Sequence, residues 1–232
     1  MLYFAYGSNM WLEQMALRCP DSTYVGRGIL YDYRWQINER GYANVVHVPP
    51  HQTIITGRNN DGNNRGNGHN EDYGGHRRPC VHGLVYDLGS ETANEHWLDR
   101  YEGVRTGAYS KAYLDVELYA APPQLQVPAE SVLVHLEEQQ KEAGRANSNS
   151  IHTDEAKCLE RDVLVYLSET YTQPALARTD YVVRMAHAVR DALALGMPRS
   201  FVEEFIVPTM ATGFLDSVGL GKDMDIKEDA DA

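Results

Sequence analysis

The stretch MLYFAYGSNMWLEQMALRCP (residues 1–20) decides how the rest of the chain is read. Leu2 to Ala5 is apolar and aromatic, as a buried strand requires. Gly7-Ser8-Asn9 breaks that run. From 10 to 18, Trp11, Met15 and Arg18 recur at helical spacing, with Leu12 and Ala16 beside them. Ser8 or Asn9 is placed to cap this helix and Pro20 to end it. The expected opening is therefore strand, tight turn, helix.

Outward from this unit, runs at 29–35 and 43–48 read as strands, and Ile54-Ile55 as the start of another. Residues 81–88 form a further strand pattern. Residues 90–101 read as a helix with Trp97, Leu98 and Tyr101 on one face, and Gly103 falls where a left-handed residue ends a helix. Strands are expected at 113–119, 132–136 and 163–167, with a Pro-rich turn region at 121–130. Thr179 or Asp180 caps a helix carrying Val182, Val183, Ala186, Val189 and Leu193, which Gly196 and Pro198 close. Ser200 and Glu203 have capping-box spacing for a last short helix. Mixed strands and helices in this order predict an α+β fold or a mixed barrel.

Two segments interrupt the pattern. Residues 58–78 hold six Asn and five Gly and almost nothing apolar, so burial cannot offset the entropy of ordering them. They read as a mobile insertion, and the polar run 138–160 as a second insertion, partly helical. The tail 222–232 is acidic and reads as disordered. Residues 1–210 are expected to form a single domain.

The 232 residues can bury a core without disulfides. Lys plus Arg is 21 against 33 Asp plus Glu, a formal charge of −12 that disfavours nucleic acid as a partner. The tight basic doublet, Arg77-Arg78, falls in the Asn/Gly-rich segment. No apolar run approaches the ~18 residues that a membrane helix needs. No secretory leader is read at the start. Cys19, Cys80 and Cys158 are too few and scattered for a disulfide framework, so a cytoplasmic setting is expected. Fifteen tyrosines against four phenylalanines point to a polar-lined interior or cleft.

Two places carry chemistry. Tyr6-Gly7-Ser8-Asn9 joins a strand to a helix, where backbone N–H groups and a glycine admit a carboxylate or an oxyanion. The competing reading is an ordinary capped turn. Glu102 sits at a helix C-terminus, where the macrodipole, the nearby Asp99 and apolar neighbours (Leu98, Tyr101, Val104) all push a carboxyl pKa upward. That suits a general acid/base; the competing reading is a solvated glutamate at a frayed end. His69, His76, Cys80 and His82 cluster near one junction but lack the frame of a metal site. His187 reads as a packed histidine, Cys19 as an unreactive thiol, and Glu137-Glu138 and Glu203-Glu204 as solvated faces.

Taken in order, several motifs resemble the γ-glutamylcyclotransferase family. They are Tyr3-Phe4-Ala5-Tyr6-Gly7-Ser8-Asn9-Met10, then Val81-His82-Gly83-Leu84-Val85-Tyr86, then Leu98-Asp99-Arg100-Tyr101-Glu102-Gly103-Val104. Gly107-Ala108-Tyr109, Val165-Tyr166-Leu167, Tyr171, Tyr181 and Gly196-Met197-Pro198 follow. The resemblance spans roughly residues 2–206. It implies a small mixed β-barrel with flanking helices and an enzyme without metal or cofactor. Such an enzyme releases 5-oxoproline from a small γ-glutamyl substrate, as a monomer or homodimer. By position, Glu102 matches the acid/base. Tyr3, Phe4, Ala5, Tyr6, Gly7, Ser8 and Asn9 match the substrate-binding loop, and Tyr109 and Tyr181 match tyrosines lining the pocket. Asn9 sets the chain apart from the glutathione-specific branch.

The resemblance leaves the leaving group open, between a γ-glutamyl dipeptide and a glutathione-derived conjugate such as secondary-metabolite biosynthesis uses. The longer regions 58–78 and 120–160 border the strands and bear on that choice. A binding or interaction domain on the same scaffold, without catalysis, is the alternative.

Overall fold

A computed structural model describes residues 1–49, 78–89, 92–143, 157–211 and 213–219. The expectations for 54–55, 58–77, 144–156 and 222–232 lie outside these residues, as do His69 and His76. The fold is α+β, built on a small mixed barrel. Its strands are β1 (Leu2–Ala5), β2 (Thr23–Tyr31), β5 (Cys80–Asp87), β6 (Ser110–Ala120) and β7 (Lys157–Leu167). They close in the order β1-β5-β2-β6-β7. Neighbours run antiparallel, except that β1 meets β7 in parallel at Tyr3 and Leu164. A separate hairpin pairs β3 (Tyr33–Ile37) with β4 (Ala43–His47).

Strand alternation builds the barrel core. Along β2 every second residue is buried, the period that a half-buried strand shows. Phe4 is fully buried, and small residues make room for it. A Cβ on Gly83 would stand 2.4 Å from the Ala5 carbonyl oxygen and 2.7 Å from the Phe4 ring. One on Gly28 would meet Val116 and Val85 at 2.8 Å. The glycines at 28 and 83 are thus the space that β1 and its phenylalanine occupy.

Helices flank the barrel: α1 (Leu12–Arg18), α2 (Thr92–Tyr101), α3 (Ala129–Ala143), α4 (Thr179–Ala194), α5 (Arg199–Phe201) and α6 (Phe214–Ser217). Among the described residues no helix is long and apolar enough to cross a membrane.

The structure departs from the sequence reading in four places. The run expected as one strand at 29–35 is split, because Asp32 adopts φ 65° and turns the chain from β2 into β3. The strand expected at 132–136 belongs to α3: Ala129, Val132 and Leu136 are buried while Val134 is exposed, a helical and not an alternating pattern. The second insertion is helical at its start, as expected, since 138–143 continue α3, but its last residues, 157–160, begin β7.

The expected N-caps are also replaced. Ser8 to Met10 form a 3₁₀ turn, and Trp11 precedes α1 without a side-chain cap of its own. The carboxylate of Asp191 in α4 instead accepts the Leu12 N–H at 2.9 Å. Arg178, not Thr179 or Asp180, is the N-cap residue of α4, and Pro198 that of α5. Glu203 pairs with Arg199 at 2.6 Å.

Candidate functional site

The end of β1, the 3₁₀ turn and the end of α2 converge on one cavity of about 320 Å³. Tyr3, Tyr6, Gly7, Ser8, Asn9, Glu102, Tyr109 and Tyr181 all line it. Phe4 and Ala5, expected in the substrate-binding loop, do not. Phe4 fills the barrel core, and Ala5 is paired with Leu84 across the β1–β5 ladder.

Glu102 follows the last residue of α2, and its N–H still bonds the Leu98 carbonyl at 2.8 Å. Gly103 then takes φ 66°, a left-handed conformation that turns the chain away and leaves the carboxyl at the cavity. Thr106 and Ala108 bond back to the Gly103 carbonyl and fix this turn.

Asn9 joins the two segments. It is only 4% exposed, and its amide is fully committed. Its Nδ2 donates to Glu102 Oε1 at 3.0 Å and to Tyr3 Oη at 2.8 Å. Its Oδ1 accepts from Gln14 Nε2 at 2.9 Å and Arg18 Nη1 at 2.7 Å. Two donors on one side and two acceptors on the other leave a single amide orientation.

The pKa of Glu102 is raised above the ordinary glutamate value, first because burial disfavours the anion. Arg18, the Asn9 amide and Arg184 pull the other way, in that order, and do not cancel it. Asp99, one of the causes expected from sequence, faces elsewhere: it pairs with Lys111 at 2.8 Å and accepts from Tyr166 Oη at 2.7 Å.

The tyrosines supply shape and oxygen atoms, not bases. Burial holds Tyr3, Tyr6 and Tyr109 well above the ordinary phenol pKa, and Tyr181 is pushed up to about 12. Tyr6 donates to the Tyr166 carbonyl and Tyr109 to the Ala43 carbonyl at 2.6 Å. Tyr181 Oη accepts the Ser8 N–H at 3.2 Å. Gly7 makes that approach possible, since a Cβ there would lie 2.8 Å from the Tyr181 hydroxyl.

Three arginines that the sequence reading did not assign to the site also line the cavity: Arg18, Arg40 and Arg184. Two had a signal. Arg18 follows Gln14 by one helical turn on α1, and Arg184 follows Tyr181 by three residues on α4. Arg40 had none, because it arrives from the β3–β4 turn.

The other candidates among the described residues, His82, His187 and Cys19, do not line the cavity. Burial holds the His82 imidazole down to about 4, against Phe201 at 5.0 Å between ring centroids. His187 stacks on Trp11 at 4.5 Å. Cys19 is buried, and burial pushes its thiol up to about 12. No group of three or more potential metal ligands occurs among the described residues.

The chain is similar in structure to an uncharacterised human protein, at 16% identity over 94% of this chain and 97% of that one, with a TM-score of 0.49. It is also similar to a protein named gamma-glutamyl cyclotransferase, at 17% identity over 95% and 99% of the two chains, TM-score 0.47. A yeast gamma-glutamyl cyclotransferase specific to glutathione matches at 13% identity over 94% and 95%, TM-score 0.40. No family model matches the sequence, and no curated protein does.

Proposed function

We propose that this protein is a γ-glutamylcyclotransferase, with Glu102 as general acid/base. The observation that carries the reading is a half-buried carboxyl with a raised pKa, held by Asn9 of the Tyr6-Gly7-Ser8-Asn9 loop at the wall of a tyrosine-lined cavity. The ordered motifs from Tyr3 to Pro198 point the same way.

The substrate carries its own nucleophile, the α-amine, which is an ammonium at neutral pH. Glu102 takes one proton from it. The amine nitrogen then attacks the γ-carbonyl carbon, and a C–N bond closes the five-membered ring. Negative charge gathers on the carbonyl oxygen, and the backbone N–H groups of Gly7 and Ser8 are the proposed donors to it. Substrate enters in place of the long Ser8 contact to Tyr181. Glu102 returns that proton to the departing nitrogen and the old C–N bond breaks; the ring nitrogen, cationic since the attack, sheds its second proton through Glu102 to the released amine, and 5-oxoproline and an ammonium leave. Joining nucleophile and electrophile in one molecule supplies the proximity, so one proton-transfer group is enough.

Stable tyrosines fit this scheme, since their hydroxyls stay protonated throughout. The test is release of 5-oxoproline from a panel of γ-glutamyl dipeptides, γ-glutamylamines and glutathione conjugates. Release from at least one member is the expected result. Tight binding of panel members without release would instead favour a binding domain.

A further inference from the structure

We infer that Asp99 is a positioning residue for Glu102: it clamps the end of α2 onto two barrel strands and so fixes where the Glu102 carboxyl stands in the cavity. This inference rests on the function proposed above.

Apolar packing anchors α2 thinly. From Asn94 onward, Leu98 is its one buried apolar side chain, while Trp97 and Tyr101 are exposed. Polar contacts supply the rest. Near the start of the helix, Asn94 is buried and its Nδ2 donates to the Leu88 carbonyl at 3.1 Å. Near the end, which carries Glu102, the contact is made by Asp99. Glu102 follows Asp99 by three residues, so the two are neighbours across one turn.

The sheet matches the two groups that hold Asp99. Lys111 of β6 and Tyr166 of β7 are register partners in the β6–β7 ladder. Directly opposed residues present their side chains on one face of a sheet. Here both reach a single carboxylate: Lys111 Nζ donates to Asp99 Oδ2 at 2.8 Å, and Tyr166 Oη donates to Oδ1 at 2.7 Å. Both contacts are charge-assisted, the stronger class of hydrogen bond. Lys111 also bonds Glu95, one turn earlier, at 2.9 Å. Glu95 thus meets β6, whereas Asp99 ties α2 to β6 and β7 together.

Asp99 also closes a circuit around Glu102. Tyr166 packs edge to face on Tyr3, with ring centroids 5.8 Å apart. Tyr3 Oη and Glu102 Oε1 share Asn9 Nδ2, at 2.8 and 3.0 Å. Glu102 is therefore held from the loop side by Asn9 and from the helix side by Asp99, and the two routes meet at the Tyr3–Tyr166 pair. The Asp99 charge is spent on Lys111 and Tyr166, so what it passes to Glu102 is placement and not repulsion.

The test is Asp99→Ala, assayed for 5-oxoproline release in the wild-type and the Glu102→Gln backgrounds. Misplacing a reacting group by about 1 Å can cost about 10²-fold, so kcat should fall about 10- to 100-fold in the wild-type background. KM should change by no more than about threefold, because the lost contact is not made to substrate. In the Glu102→Gln background the same substitution should change the residual rate by less than about threefold, since the group it positions is already gone. Asp99→Asn keeps an acceptor for Tyr166 and should recover part of the loss. Tyr166→Phe keeps the ring on Tyr3 and should lower kcat by less than Asp99→Ala does. Unchanged kcat in Asp99→Ala, or an equal loss in both backgrounds, would overturn the positioning role. If Asp99→Ala does not fold, Tyr166→Phe carries the same two-background comparison. Should wild type release no 5-oxoproline from any substrate, the reaction proposed above fails, and amide hydrogen exchange decides the clamp separately. Faster exchange of the Glu102 N–H in Asp99→Ala, with barrel amides unchanged, would support it, and unchanged exchange there would overturn it.

Discussion

Glu102 and Asp191 are both carboxyls whose pKa burial raises, yet they stand in different surroundings. Glu102 lines a cavity, shares the Asn9 amide with Tyr3, and lies within reach of two arginines. Asp191, raised to about 6, has its carboxylate spent on the Leu12 N–H at the start of α1. The contrast teaches that a raised carboxyl pKa does not by itself mark a catalytic group. What separates the two is whether the carboxyl meets a space that a substrate can occupy.

The sharpest way to break the comparison is Glu102→Gln. Removing a general acid/base lowers rate by about 10²- to 10⁴-fold, so turnover should fall by that much. The protein should still fold, because the amide keeps an acceptor for Asn9. Circular dichroism and a melting curve check the second point, and a loss of fold would make Glu102 a structural residue like Asp191.

Asp191→Asn is the complementary change, and its effect is on stability. The folded pKa of about 6 lies above the ordinary 3.8, so the folded state favours the protonated form. That contribution is full below 3.8 and is lost as pH rises through 6. At pH 8 wild type therefore carries the penalty of a buried anion, offset in part by the Leu12 N–H and Arg190. Asparagine keeps an acceptor without the charge. The variant should gain about 1–3 kcal/mol at pH 8, since each tenfold change in proton affinity is worth about 1.4 kcal/mol, and nothing at pH 4. Urea unfolding at the two pH values measures this, with turnover retained. A gain at both pH values would show that packing, and not ionisation, separates Asp from Asn there.

The smallest effect is expected from Arg18→Met. Arg18 is the leading influence holding the Glu102 pKa down. Its loss should move the acid limb of the pH–rate profile upward, with kcat/KM at neutral pH changed by no more than about tenfold. A limb that does not move would mean that Arg18 serves only to orient Asn9.

Much of the barrel and one side of the cavity were legible in the sequence. Tyr3 to Asn9 and Leu98 to Gly103 are short contiguous runs, and their chemistry is local: an apolar strand, a glycine, a helix end. The opposite side was not legible, because Arg40 reaches the cavity through the β3–β4 turn, whose placement depends on contacts such as Arg178 N–H to the Gly41 carbonyl. The caps failed for a related reason. Ser8 and Asn9 have cap-forming side chains, but Gln14, Arg18 and Glu102 claim them, and Asp191 caps α1 from 179 residues away. At 132–136, Val132 and Val134 favour a strand locally, and packing of Val132 and Leu136 on one helix face overrides that preference.

The central claim is that Glu102 moves the proton in this cavity. The pH dependence of kcat/KM for 5-oxoproline release, in wild type and Glu102→Gln, tests it most directly. The account predicts an acid limb in wild type with its midpoint above the ordinary glutamate pKa, and in the folded variant a much lower rate without that limb. Wild-type turnover with the same limb in Glu102→Gln would contradict it.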